Sequence, residues 1–467
     1  MTLEPAHPLT ADDPEVGRLM DYLRIESVGT DPAFDTATRR AAEWTARHLA
    51  ESGLVTETLA TRGYPCVMGV SPAELIEPGG EAVTVLYYGH YDVQPPDPLE
   101  LWESAPFEPV IRDAPTPGDG PAIYARGASD DKGQALAIME AIRRMTADGG
   151  KLPCRVKVLI EGEEEAGSVN LNGVLDRHRE ALSADVVVVS DNAMWDADTV
   201  AITYAMRGLV YFDLKLHGPS RDLHSGVYGG ALANPATILA RVLGRLFDEQ
   251  NRVTIPGFYD DVADPTPDEL ARWEALGYDE AADLGAVGAT PFGEAEQTTL
   301  QRRWARPSCD VNGIYGGYMG EGAKTVIPAM AGAKVSFRIP AAMDPGKVAK
   351  QFTDWLATHD VGGCEWEITN HGEAFPCATP IDSPFMGAAV GALREATGRE
   401  PVLVREGATI PVGAEFKRRL GIDTLFVGFG LHADNLHSPN ESFSLRRYAL
   451  AIDSHVALLG ALAKVGR

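Results

Sequence analysis

Apolar residues change their spacing along this chain, and the changes mark out its architecture. Near the N-terminus Val16, Leu19, Met20 and Leu23 recur at helical intervals. Ala41, Trp44, Ala46 and Leu49 predict a second helix over 37–52, and Gly53 is a natural stop for it. Beyond it the pattern turns into short, nearly continuous apolar runs: Val83–Gly89 (VTVLYYG), Val156–Gly162 (VKVLIEG) and Asp185–Ser190 (DVVVVS). Runs of this length, rich in β-branched residues, predict strands buried on both faces. Helical stretches at Ala135–Met145 and about 169–181 alternate with them. Thr424–Gly430 (TLFVGFG) and Leu445–Val465 repeat the strand-then-helix order near the end. The alternation predicts an α/β fold: a mostly parallel sheet with helices on both faces.

The middle of the chain reads differently. Gly208–His217 (GLVYFDLKLH) alternates, as a half-exposed antiparallel strand does. Asn234-Pro235 opens a helix to about Asp248, with Asn as cap and Pro in the first turn. Residues 251–308 are acidic and rich in Pro and Gly, and read as an irregular insertion with a short helix near 267–276. A strand at Ala331–Pro340, a helix from Asp344-Pro345 to about His359 and a strand at Cys364–Asn370 follow. This is a β-α-β-β-α-β tendency. The expected organisation is a split α/β domain, 1–206 and 380–467, with an α+β domain, 207–379, inserted into it.

Composition narrows the functional classes. The 467 residues are 45% hydrophobic and 23% charged, ordinary for a globular chain of more than one domain. The net charge of −26, with no basic run, argues against nucleic acid or an anionic membrane as partner. Cys66, Cys154, Cys309, Cys364 and Cys377 are scattered and form no C-x-x-C pair, so neither a disulfide scaffold nor a thiolate zinc site is expected. Residues 1–15 show no signal-peptide pattern, and no apolar run reaches the ~18 residues of a membrane span. A cytoplasmic protein is expected.

Chemistry gathers where the predicted strands end. In open α/β sheets ligands bind outside the carboxyl ends of the strands. One run leads into His90-Tyr91-Asp92, a second into Glu161–Glu165, a third into Ser190-Asp191-Asn192, and the late one into Leu431–Pro439 with His432 and His437. Arg126–Gly133 (RGASDDKG) forms a turn into a helix between the first two. Imidazole and carboxylate ligands without thiolates suit Zn²⁺, and also Mn²⁺ or Co²⁺. Two ions held close together need a shared carboxylate. His90 and Asp92, two apart on a strand, share a side, so one can ligate while the other orients. Glu164 and Glu165 point apart on an extended chain, so one can ligate while its neighbour acts as base on the attacking water. Gly316–Gly322 lacks the G-x-x-x-x-G-K-[ST] phosphate-loop pattern and reads as a turn.

Taken together, Gly89–Pro95 (GHYDVQP), Arg126–Gly133, Glu161–Ser168 (EGEEEAGS), Ser190–Asn192, Asp222–Gly230 (DLHSGVYGG), Lys324–Pro328 (KTVIP) and His437–Glu441 (HSPNE) resemble the M20 metallopeptidases, in their cytosolic non-specific dipeptidase, carnosinase-like branch. The resemblance implies two divalent ions per subunit. His90 and Asp191 would hold one, Glu165 and His437 the other, and Asp130 would bridge them. Asp92 would orient His90, and Glu164 would be the general base. The Glu-Glu-x-Gly-Ser register selects Glu164 over Glu163, and the His-Ser-Pro-Asn-Glu context selects His437 over His432. It implies that the inserted domain is a lid and dimerisation domain of a homodimer, with His224 stabilising the oxyanion in the partner's active site. Thr325, Arg338, His371, Gly407 and Thr409 would bind substrate, Arg338 by forking onto a free carboxylate. The implied activity is hydrolysis of the amide bond of dipeptides or similar short peptides. The alternatives are an N-acyl- or N-carbamoyl-amino-acid amidohydrolase and, from another class, a catalytically inactive metal-binding regulatory homologue.

Overall fold

The three apolar runs lie side by side at the centre of one sheet. In the computed structural model, which describes residues 3–466, strands Arg155–Glu161, Thr84–His90, Val186–Val189 and Thr424–Phe426 are parallel neighbours in that spatial order. Nearly every residue in them is buried, as continuous apolar runs require. Antiparallel strands extend both edges: Cys66–Val70 and Val55–Leu59 beside Arg155–Glu161, and Ala201–Met206 beside Thr424–Phe426. The register pairs His90 with Glu161 at the carboxyl ends, which brings the functional segments to one edge. Helix Leu445–Leu462 packs on helices Lys132–Thr146 and Pro384–Thr397.

The chain divides into two compact units, one of residues 1–204, 379–404 and 415–467, the other of residues 205–378 and 405–414. The second contains a four-stranded antiparallel sheet in the order Ser308–Gly316, Met330–Ile339, Gly208–His217, Glu365–Ala374. Helices Pro235–Leu243 and Pro345–Ala357 pack against it around Phe212, Phe337 and Phe352. The β-α-β-β-α-β order expected from the sequence is present.

Several boundaries differ from the sequence reading. The strand expected over 424–430 ends at Phe426. Beyond it the chain follows residues 189–194 instead of extending the ladder, with Val427 N–H donating to Val189 O (2.9 Å) and Gly430 N–H to Asn192 O (3.1 Å). Only glycine fits at 428, where a Cβ would stand 1.9 Å from Asn192 O. The helix expected over 169–181 is confined to Leu171–Arg177, and the one expected to reach Asp248 stops at Leu243, before Gly244. The insertion 251–308 carries three short helices, Pro267–Ala275, Glu280–Ala286 and Thr299–Trp304, where one was expected.

Candidate active site

The strand ends and the turns beyond them deliver the functional side chains. His90 closes its strand and is fully buried. Its Nδ1–H points to the backbone oxygen of Asp92 (3.0 Å), with Asp92 Oδ1 at 3.4 Å, which leaves Nε2 as the free lone pair. Nε2 stands 3.3 Å from Asp130 Oδ1 and 3.8 Å from Asp191 Oδ2. On the other side of Asp130, His437 Nε2 lies 2.8 Å from Oδ2 and 3.5 Å from Glu165 Oε1. His90, Asp130 and Asp191 thus form one group of metal-type donors, and Asp130, Glu165 and His437 another, each with its atoms within 4.8 Å of one another. Asp130 belongs to both and turns one oxygen to each imidazole.

The donor set fits divalent cations. Among the described residues His90 Nε2 and Glu165 Oε1 are buried without a hydrogen-bond partner, which is costly unless something else fills their lone pairs. Glu165 is held by its other oxygen, which accepts from Gln94 Nε2 at 2.7 Å. The imidazoles of His437 and His90 on either side hold Asp130 below the usual carboxylate range despite its burial. Asp191 is pushed up by burial and by the charges of Asp131 and Asp130, which outweigh the His90 imidazole. A cation between them would relieve that crowding.

Glu164 and Glu165 open a 3-10 turn just past the strand end. The Asp92 carboxylate accepts from both their backbone N–H groups, at 3.2 and 3.0 Å. Asp92 therefore aims the two glutamates as well as lying beside the His90 ring. Burial, opposed by His90 and reinforced by Glu165, Asp92 and Asp130, pushes the Glu164 carboxyl up to about 7. Glu163 is engaged elsewhere, accepting from Asn170 Nδ2 at 3.0 and 2.8 Å. His432 lies in a separate turn, His432–Asp434, and belongs to neither donor group.

The remaining predicted residues all lie in the second unit, in three places. His224 is exposed on a two-residue strand opposite Val326, next to Thr325, whose carbonyl accepts from Ser225 N–H at 3.1 Å. Arg338 donates from Nη1 to Thr409 Oγ1 (2.8 Å), and Thr409 in turn donates to the backbone oxygen of Arg207 (2.6 Å). Gly407 O accepts from Arg207 Nε at 3.0 Å, so Arg338, Gly407 and Thr409 form one cluster. His371 is exposed beside Tyr211 and 3.9 Å from Asp213.

Two residues at these sites were not singled out from the sequence. Among the described residues Arg207 bonds only to carbonyl and hydroxyl oxygens, and burial together with the Arg338 charge lowers it to about 10. Glu441 was visible only as the last residue of HSPNE. It is fully buried and binds the turn that carries Asp130.

Imidazoles and carboxylates gathered at the carboxyl edge of a parallel sheet, beside an acid that can move a proton, define the class: a metal-dependent hydrolase. The sequence model described as peptidase family M20/M25/M40 matches residues 86–461, and the chain belongs to that family. It is an M20-type metallopeptidase, a hydrolase acting on peptide bonds. It is 29% identical over 458 residues to the Cys-Gly metallodipeptidase DUG1 of Saccharomyces cerevisiae, covering 95% of this chain and 94% of the relative. It is 33% identical over 390 residues to the Beta-Ala-His dipeptidase of Homo sapiens, covering 81% and 75%. The solved M20 family metallo-carboxypeptidase Sso-CP2 from Sulfolobus solfataricus superposes with a TM-score of 0.84 at 31% identity, over 97% of this chain and 99% of that one. Among the described residues no helix is long and apolar enough to cross a membrane.

Proposed function

We propose that this chain is a dipeptidase with two metal ions per subunit, His90 and Asp191 holding one, Glu165 and His437 the other, and Asp130 shared. The carrying observation is that Asp130 places one oxygen 3.3 Å from His90 and the other 2.8 Å from His437. Divalent ions, Zn²⁺ first and Mn²⁺ or Co²⁺ as alternatives the donors accommodate, would polarise the scissile carbonyl and acidify the attacking water. Glu164 takes the proton of that water and returns it to the leaving amine, a role its raised carboxyl suits. Asp92 keeps Glu164 and Glu165 aimed through their N–H groups.

In this reading His224 stabilises the oxyanion. Its Nδ1 accepts from Gly226 N–H at 2.9 Å, so the ring proton sits on the exposed Nε2. Arg338 pairs with the substrate's free carboxylate, and Thr325, His371, Gly407 and Thr409 complete the substrate contacts. Residues 207–379 act as the inserted lid and dimerisation domain of a cytoplasmic homodimer. Its exposed apolar side chains, Val227 (69%), Ile314 (67%) and Met319 (77%), support an interface there.

The names of the relatives favour dipeptides over N-acylated or N-carbamoylated amino acids. The test is a substrate panel on metal-reconstituted enzyme: dipeptides including Cys-Gly and β-Ala-His, longer peptides, and N-acetyl and N-carbamoyl amino acids. Preferential turnover of dipeptides supports the reading. Preferential turnover of N-blocked amino acids would replace it with the amidohydrolase, and of longer peptides with a carboxypeptidase.

A further inference from the structure

The turn that carries Asp130 is built around a single buried carboxylate. Residues 126–130 link strand Pro121–Tyr124 to helix Lys132–Thr146 and make no ladder of their own. Their donors converge on Glu441, whose side chain is fully buried. Glu441 Oε1 accepts from Ser129 N–H at 2.9 Å and Asp130 N–H at 3.0 Å. Oε2 accepts from Gly127 N–H and Arg126 Nη1, both at 2.8 Å. Four donors fill the acceptor capacity of one carboxylate. The main chain of Glu441 joins in, its carbonyl accepting from Ala125 N–H at 3.1 Å, and the next residue, Ser442, pairs with Tyr124.

Glu441 is four positions after His437, and this short segment grips Asp130 at both ends. His437 meets the carboxylate of Asp130, while Glu441 holds its backbone N–H. Arg126 neutralises Glu441 and is itself fixed, with Nη2 donating to Pro95 O at 3.1 Å and its guanidinium 5.6 Å from the Trp102 ring centre. An uncompensated buried carboxylate would be costly, whereas this one is paired and fully hydrogen-bonded.

We propose that Glu441 is a positioning residue: it sets the backbone of the 126–130 turn so that Asp130 stands between the two donor groups before any cation arrives. The proposal rests on the reading of Asp130 as the shared ligand. Glu441 touches neither substrate nor cation in it. Its effect reaches the centre only through Asp130, so its loss weakens both sites together.

The test is Co²⁺ titration of chelator-stripped protein, followed by visible absorption and elemental analysis, on wild type, Glu441→Gln and Glu140→Gln. In Glu441→Gln the amide oxygen keeps two donors, and the NH₂ confronts the other two. Co²⁺ affinity should fall about 10–100-fold at both sites, the usual cost of losing a residue that orients a ligand. Glu140→Gln is the control for simple loss of a buried acid. Glu140 is 2% exposed and binds Arg18 through two 2.6 Å bonds, on the helix that follows the Asp130 turn. That variant should lower the thermal stability of the stripped protein and keep wild-type Co²⁺ affinity. Unchanged affinity in Glu441→Gln, or an equal loss in Glu140→Gln, overturns the proposal. If Glu441→Gln does not fold, hydrogen exchange on stripped wild type decides. The amides of Gly127, Ser129 and Asp130 should be protected without metal, and exchange at open-loop rates overturns the proposal. Wild type that takes up no Co²⁺ is a separate result, which defeats the metal centre itself.

Discussion

His437 stands 2.8 Å from Asp130 across 307 positions of sequence, and the second oxygen of the same carboxylate stands 3.3 Å from His90. One side chain therefore belongs to two donor groups, and damage to it should differ in kind from damage to any other ligand. Asp130→Asn should bind neither ion tightly, because each group loses half of its shared anion. Asp191→Asn should lose chiefly the ion held with His90 and keep the other. Elemental analysis after dialysis against a fixed free Zn²⁺ concentration measures both. Two ions retained in Asp130→Asn would remove the bridging role.

The three consecutive acids 163–165 have separate environments, and their variants should separate as well. Glu164→Gln leaves every proposed ligand intact, so the ions should stay while kcat falls by about 10²–10⁴-fold, the usual weight of a general base. Glu165→Gln should lower metal affinity first. Glu163→Gln should do neither, since that carboxylate is bound to Asn170. A catalytic collapse in Glu163→Gln with normal kinetics in Glu164→Gln would shift the base by one position.

What the sequence discloses follows from how local each signal is. His90, Asp130, Glu165, Asp191 and His437 lie at strand ends or in turns whose residue patterns are local, and all of them gather at one sheet edge. Strand Val55–Leu59 is hidden because only Leu59 is buried in it, so VTETL carries no apolar pattern. Of the short helices in the insertion, the one expected near 267–276 is present as Pro267–Ala275, and the one at Thr299–Trp304 was legible in principle: Thr298 with Gln301 forms a reciprocal capping box, as Thr266 does with Glu269, and this T-x-x-E/Q spacing is a start signal. Glu441 could not be assigned a role, because three of its four donors are backbone N–H groups and these leave no trace in side-chain identity.

The catalytic unit should lose stability on the acid side through a buried neutral histidine. His455 is fully buried, 3.2 Å from Ser190 Oγ and in edge contact with Tyr87 and Phe429. Burial lowers it from 6.5 to about 3. With the folded value below the unfolded one, its contribution is intact above about pH 6.5 and is lost as pH falls from there toward 3. At pH 5 the loss is about 2 kcal/mol. Urea unfolding of chelator-stripped protein at pH 8 and pH 5 gives the difference directly. His455→Gln should shrink it by about that amount, and an unchanged difference would show that His455 does not titrate in this window.

The shared-site dimer makes the sharpest claim about His224. Its Nε2 is left as an exposed donor by the bond from Gly226 to Nδ1, and its segment lies in the second unit, apart in sequence from every proposed metal ligand. If each active site takes Glu164 from one chain and His224 from the other, His224→Ala and Glu164→Gln homodimers are both poorly active, one lacking the oxyanion donor and the other the base. A heterodimer of the two contains one doubly damaged site and one intact site. Random co-assembly gives about half heterodimers, so about a quarter of wild-type activity should return, rising to about half in purified heterodimers. Were His224 to serve its own chain, every site in the heterodimer would carry one lesion and nothing would return. Differentially tagged chains, co-expressed and purified through both tags, separate the cases: activity no higher than that of the parent homodimers rules out the shared site.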